Sequence, residues 1–230
     1  MISVVAVVPA AGFGRRLGTA TNKQFLKLGG VPISIFTMRR LAAVSEIDAV
    51  LPVIRPDEID LFLEKILSHY PVDKLMKPVP GGPERQDSVY NALKSMDCDP
   101  EIVLIHDGVR PFFRASDAVE CIRIARECGG AAVALQAVDT VRRGSSEVFG
   151  ETLDRTGIYL MQTPQVFRFR PLLTAYEKLR GRGLKVTDDV AVYESDGGRV
   201  RIVAGSRFNF KITTPEDLYL ARQVKKYGRF

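Results

Sequence analysis

Cysteine is scarce: the 230 residues hold three, Cys98, Cys121 and Cys128. An odd number in a chain of this length does not read as a disulfide framework and points to a reducing cytoplasm. Only two histidines, His69 and His106, are present and no Cys-x-x-Cys occurs, which argues against a structural zinc site. No apolar run approaches the roughly 18 residues that a membrane span requires. The apolar start, Ile2 to Gly14, has no basic region before it and opens into a glycine loop, so it does not read as a signal peptide. Gly and Pro number 19 and 13 without a period, which excludes collagen-like and low-complexity chains. The most telling absence is acid. No Asp or Glu precedes Glu46, while Arg15, Arg16, Lys23, Lys27, Arg39 and Arg40 all do. Blocks of Lys and Arg that would mark a nucleic-acid tail are missing too. The net charge of +6 therefore fits a pocket for a small anionic ligand better than a duplex footprint.

What is present is an ordinary globular composition, 46% hydrophobic and 26% charged. Short β-branched runs alternate with helical patterns. Strands are expected at Ser3–Val8, Ala49–Ile54, Lys74–Val79, Ile102–His106, Ala131–Leu135, Ile158–Met161 and Val200–Val203. Helices are expected at Pro32–Val44, Asp57–Ser68, Glu84–Met96, Ala115–Glu127, Pro171–Leu179, Asp188–Glu194 and Pro215–Lys225. Such alternation predicts an α/β fold, a mostly parallel sheet with helices on both faces. One stretch breaks it. Thr140–Arg143, a Gly144-Ser145-Ser146 turn and Glu147–Leu153 read as a protruding two-stranded β-arm. A ribbon of this kind cannot bury itself and must pack on its own body or on a second chain. With no repeat or linker, the expectation is one domain, 1–230, carrying an arm at about 138–155.

Four segments carry candidate chemistry. Pro9-Ala10-Ala11-Gly12-Phe13-Gly14-Arg15-Arg16 follows the first strand, where small residues let backbone N–H groups approach phosphate and the arginines add charge. Its spacing fits neither the dinucleotide fingerprint nor the Walker A loop. Lys23 could reach back to a triphosphate from the same acid-free stretch. Gly81-Gly82-Pro83-Glu84-Arg85-Gln86-Asp87-Ser88 is a glycine turn entering a helix, able to read a base edge or ribose, or simply to cap. Asp107, in His106-Asp107-Gly108-Val109-Arg110-Pro111, sits where an α/β sheet places its ligand and can bind Mg²⁺; the plainer reading is an ion pair with Arg110. Asn209-Phe210-Lys211 precedes Thr214-Pro215-Glu216-Asp217, a good helix start that accounts for both acids but not for Lys211.

Pro-Ala-Ala-Gly-x-Gly-x-Arg followed by Lys-Gln-Phe resembles the sugar-nucleotide-type nucleotidyltransferases. His-Asp-x-x-Arg-Pro and the later motifs narrow the resemblance to the 2-C-methyl-D-erythritol 4-phosphate cytidylyltransferases of the non-mevalonate isoprenoid pathway, over nearly the whole chain. The resemblance implies a Rossmann-like, glycosyltransferase-A-like fold and cytidylyl transfer from CTP to the polyol phosphate. It implies that Pro9, Ala10, Ala11, Gly12, Gly14, Lys23, Gly81, Gly82, Arg85, Ser88 and Asp107 hold the nucleotide. Arg16, Lys23, Arg155 and Lys211 would be catalytic, and Asp107, Arg110, Thr140, Arg155, Thr163 and Lys211 would hold the polyol phosphate. It also implies Mg²⁺ on Asp107 and a homodimer in which Thr140 and Arg155 of the arm reach the neighbouring site. His106 is expected to be structural. Arg142, Asn22 and Phe208 stand where the family usually has Lys, Pro and Asp. A ribitol 5-phosphate cytidylyltransferase and a catalytically silent nucleotide-binding subunit share most of these motifs and remain open at this point; nucleic acid and membrane are not expected partners.

Overall fold

The computed structural model describes residues 2–12, 25–182 and 186–228. Strand β1 (Val4–Pro9) is a run of Val and Ala with a fully buried interior, and it lies inside a seven-stranded sheet. A two-stranded hairpin, β2 (Lys27–Leu28) and β3 (Val31–Pro32), leads into α1 (Ile33–Ala42). Its two-residue loop is Gly29-Gly30, with φ +59° and +87°, the left-handed conformations that a tight hairpin turn demands. The main sheet continues with β4 (Ala49–Ile54) and β5 (Val79–Pro80), then α2 (Arg85–Lys94), β6 (Ile102–Ile105), α3 (Ala115–Cys128) and β7 (Gly130–Gln136). The arm is β8 (Val141–Gly144) with β9 (Phe149–Leu153). The remaining elements are β10 (Tyr159–Arg168), α4 (Phe169–Gly181), α5 (Asp189–Ser195), β11 (Arg201–Ala204) and α6 (Pro215–Tyr227).

The sheet runs β11-β7-β10-β6-β1-β4-β5. Every neighbouring pair is parallel except the two made by β10, which is antiparallel to both β6 and β7. Alternate residues of β1 serve opposite faces, as the two-residue period of a strand requires. Val4, Ala6 and Val8 pack with Ile35, Met38 and Leu41 of α1 and with Ala118, Cys121 and Ile122 of α3. Val5 and Val7 share the other core with α2, α4 and α5. A third, smaller core joins the hairpin, Val109, Phe112 and Ile212 to Ala221 and Val224 of α6. The Thr214 side chain caps α6 by accepting from the Asp217 N–H, within a full capping box.

Three elements differ from the sequence expectation. The strand expected at Ile158–Met161 extends to Arg168 as the ten-residue β10. Pro164 conceals it, because proline removes a ladder donor; the pairing with β7 shifts register between Met161 and Gln165. The strand expected at Lys74–Val79 shrinks to Val79–Pro80 plus an isolated bridge from Leu75 to Val50, since Pro78 and Pro80 have no N–H to give. The helix expected at Asp57–Ser68 is a 3₁₀ turn at Pro56–Glu58 followed by a π-helical stretch at Leu61–Leu67.

The parallel register brings the carboxyl ends of four strands together. Pro9 pairs with Val53, Val53 with Val79, and Val7 with Ile105. The loops that leave these ends are Ala10–Gly12, Gly81–Glu84 and His106–Arg110, all on one edge of the sheet. This is the edge at which open α/β sheets bind ligands.

Candidate active site

One pocket opens there, lined by Pro9, Ala11, Gly12, Gly82, Arg85, Ser88, Asp107 and Lys211, among others. The first loop and the glycine turn meet closely. The Ala10 N–H donates to the Val53 carbonyl at 2.8 Å and the Gly81 N–H to the Ile54 carbonyl at 2.7 Å, so both loops hang from β4. A Cβ on Gly81 would stand 2.3 Å from the Ala11 Cβ, so only glycine fits. Ser88 is buried and accepts from the Gly82 N–H at 3.1 Å, which fixes the turn.

Asp107 is the electrostatic centre. Arg85 Nε lies 3.2 Å from its Oδ1; Lys211 Nζ lies 2.9 Å and Arg110 Nε 3.3 Å from its Oδ2. Burial alone would raise the pKa of this carboxyl, but Arg85, Lys211 and Arg110 outweigh it and hold the group well below the usual carboxylate range. The pair with Arg110 expected on plain structural grounds is present, together with two further cations from distant parts of the chain. The backbone carries them there. The Ile212 N–H donates to the Val109 carbonyl at 3.0 Å, tying the Lys211 segment to the Asp107 loop. Arg110 donates to the Asn209 carbonyl at 2.7 Å.

Thr163 stands beside them, buried on β10. Its Oγ1 accepts from the Asp107 N–H at 3.1 Å and lies 3.0 Å from His106 Nδ1. His106 Nε2 is 3.0 Å from the Arg110 carbonyl. A carbonyl only accepts, so Nε2 carries the proton and Nδ1 receives the Thr163 hydroxyl. His106 is fully buried, and that burial lowers its pKa to about 4. It is a neutral strut between Thr163 and Arg110.

The structure thus gathers Pro9, Ala11, Gly12, Gly81, Gly82, Arg85, Ser88, Asp107, Arg110, Thr163 and Lys211 in one region. Ala10 is adjacent but turned into the core, 2% exposed. Gly14, Arg16 and Lys23 lie outside the described residues. Thr140 and Arg155 are exposed at the base of the arm, and Arg155 donates to the Val138 carbonyl; neither lines the pocket. Three further contributors are not singled out as site residues in the sequence. Asn209 is fully buried and donates to the Thr163 carbonyl at 2.7 Å. Gln165 accepts from the Asp189 N–H at 3.0 Å, and Asp189 pairs with Arg85 at 2.7 Å. The doublet Asp188-Asp189 was the available signal: one acid suffices to cap a helix, and Asp188 does so by accepting from the Ala191 N–H.

Among the described residues, no group of three or more His, Cys, Asp or Glu side chains forms a metal cage. Mg²⁺ needs only one or two carboxylates where substrate phosphates supply the rest. Among the described residues Asp107 Oδ1 accepts from Arg85 alone, which leaves it a lone pair. The donor set fits a metal that arrives with a phosphate chain.

The sequence matches the 2-C-methyl-D-erythritol 4-phosphate cytidylyltransferase family (IspD) over residues 4–226. The chain belongs to this family. A cytidylyltransferase of that name from Desulforamulus reducens is 41% identical over 227 residues, covering 98% of this chain and 97% of that protein. Another from Clostridium botulinum is 40% identical, covering 95% of each. The crystal structure of 4-diphosphocytidyl-2C-methyl-D-erythritol synthase from Anaerococcus prevotii superposes with a TM-score of 0.84 at 31% identity, over 98% of this chain and 97% of that one. The Francisella tularensis cytidylyltransferase gives 0.83 at 28% identity, over 96% and 99%. This IspD-family chain is a nucleotidyltransferase in class and in fold.

Proposed function

We propose that the protein transfers the cytidylyl group of CTP to 2-C-methyl-D-erythritol 4-phosphate, releasing pyrophosphate and forming 4-diphosphocytidyl-2-C-methyl-D-erythritol for isoprenoid synthesis. The observation that carries this reading is the pocket in which a glycine loop and a glycine turn face Asp107 and its three cations. A phosphate monoester is already anionic, so its attack on the α-phosphate needs no strong base. The difficulty is to bring anions together, and catalysis is charge stabilisation and in-line positioning. Gly81, Gly82, Arg85 and Ser88 hold the cytidine. Pro9, Ala10, Ala11, Gly12 and Gly14 admit the phosphates, with Arg16 and Lys23 neutralising charge on the α-phosphate and the leaving group. Arg110, Thr163 and Lys211 hold the incoming phosphate. Asp107 holds Mg²⁺, which when bound screens the negative charge of the phosphate chain.

Thr140 and Arg155 complete the polyol site from the arm of a second chain in a homodimer. Support comes from the exposed apolar side chains there: Val148 is 68% and Phe149 80% exposed, with Val138 and Leu160 also exposed near its base. The chain is read as one domain, residues 1–230, with that arm at about 138–155. It is assigned to the cytoplasm, in keeping with three free cysteines. Among the described residues no helix is long and apolar enough to cross a membrane. Pyrophosphate release tests the reaction, with CTP, ATP, GTP and UTP offered against methylerythritol 4-phosphate and ribitol 5-phosphate. The expected result is turnover with CTP and methylerythritol 4-phosphate, at least tenfold above any other combination. Turnover favouring ribitol 5-phosphate, or none with CTP, would overturn the assignment.

A further inference from the structure

Arg85 is divided between two carboxylates. Its Nε faces Asp107, and its Nη2 donates to Asp189 Oδ2 at 2.7 Å. Asp189 is fully buried. Its second oxygen, Oδ1, accepts from the Tyr176 hydroxyl at 2.5 Å, and its N–H donates to Gln165 Oε1 at 3.0 Å. Gln165 is fixed in turn by donating to the Gln162 carbonyl at 3.2 Å. Apart from Arg85 itself, the Asp189 carboxylate is thereby held by Tyr176 of α4, and its backbone by Gln165 of β10. A buried carboxylate is costly unless paired, and capping does not call for this one, because Asp188 already caps α5. The guanidinium is planar, so partners held on two of its nitrogens, Nε and Nη2, restrict its plane as well as its position. Asp107 alone would leave that plane free to turn.

We propose that Asp189, clamped by Tyr176, is a positioning residue that fixes the Arg85 guanidinium in the nucleotide pocket and thereby sets the affinity for CTP. Asp189 lies too deep to touch the nucleotide; it acts through Arg85. The inference rests on the reading of Arg85 as a nucleotide contact.

A double-mutant cycle on the full-length protein tests it, with CTP binding measured by calorimetry in the presence of Mg²⁺ and without the polyol phosphate. Asp189→Asn keeps the shape and removes the charge. It is expected to weaken CTP binding by about tenfold, the scale of one charge-assisted contact. Arg85→Met weakens binding as well, and adding Asp189→Asn to it changes the affinity by less than about twofold, because the route of action is gone. Equal factors in both backgrounds, or unchanged affinity in Asp189→Asn, would overturn the positioning role. If Arg85→Met leaves CTP binding untouched, the reading of Arg85 as a nucleotide contact fails and the proposal fails with it; the Arg85→Met arm therefore separates the two failures. Tyr176→Phe leaves every charge paired and does not depend on the folding of the other variants. It is expected to weaken CTP binding a fewfold and to speed solvent exchange of the Arg85 Nε–H in ¹⁵N NMR. Wild-type affinity and wild-type exchange in that variant would also overturn the proposal, whereas a merely structural tyrosine would lower the melting temperature and leave both unchanged.

Discussion

Asp107 and His106 are neighbours in the chain, and both are buried, yet one is charged and the other neutral. Burial opposes charge on both. Asp107 keeps its charge because Arg85, Lys211 and Arg110 surround it, while His106 faces a hydroxyl and a carbonyl and stays neutral. The consequence for His106 is a stability that depends on pH. Its pKa falls from 6.5 in the unfolded chain to about 4 in the fold. Between those values the unfolded chain binds the extra proton, so stability decreases as pH falls and is regained as pH rises through 6.5. Between pH 7 and pH 5 the loss amounts to about 2 kcal/mol. Urea unfolding at the two pH values should show wild type losing that much more than His106→Asn; equal losses would remove the account of His106. At this scale Asp107 and its pairing with Arg110 were readable in the residues themselves, and Arg85 and Lys211 entered through the family resemblance. Asp189 and Asn209 were not readable as site residues, because an acid at a helix start and an amide in a loop have ordinary explanations, and only the fold shows what they touch.

At the scale of elements, the pocket depends on how two loops fit at the ends of β1 and β5. The Ala11 methyl occupies the space that a side chain on Gly81 would need, at 2.3 Å, and Ser88 Oγ lies 3.0 Å from the same point. Gly81→Ala should therefore spread the loops, at a stability cost of about 1–3 kcal/mol for overpacking, and raise the KM for CTP. Ala11→Gly in the same chain removes the colliding methyl and is expected to restore most of both. Steady-state kinetics with thermal melts would check this, and a double variant no better than Gly81→Ala would show that the loops do not interlock. The glycine turn and most helices were readable from their periodicity and caps. The full length of β10 was not, because Pro164 interrupts the run that would have announced it, and its antiparallel course follows from pairing that no local pattern encodes. The arm was readable, since a ribbon around Gly144-Ser145-Ser146 breaks the α/β alternation.

At the scale of the whole molecule, one chain gathers the pocket at the strand ends and the Asp107 cluster but leaves Thr140 and Arg155 exposed on the arm. An exposed ribbon carrying Thr140 and Arg155 away from the pocket is suited to add a further cation to the site of a second copy. The central proposal is that each active site is built by two chains, the pocket from one and Arg155 from its neighbour. In a two-fold dimer the exchange is reciprocal. The most direct measurement mixes two variants, Arg155→Ala and Lys211→Ala, each nearly inactive alone. After complete subunit exchange about half of the dimers are mixed, and in each of these one site carries both lesions while the other is intact. The account predicts recovery to roughly a quarter of wild-type turnover, taking the two sites as independent. Confirmed exchange without recovery would contradict it and place Arg155 in the service of its own chain.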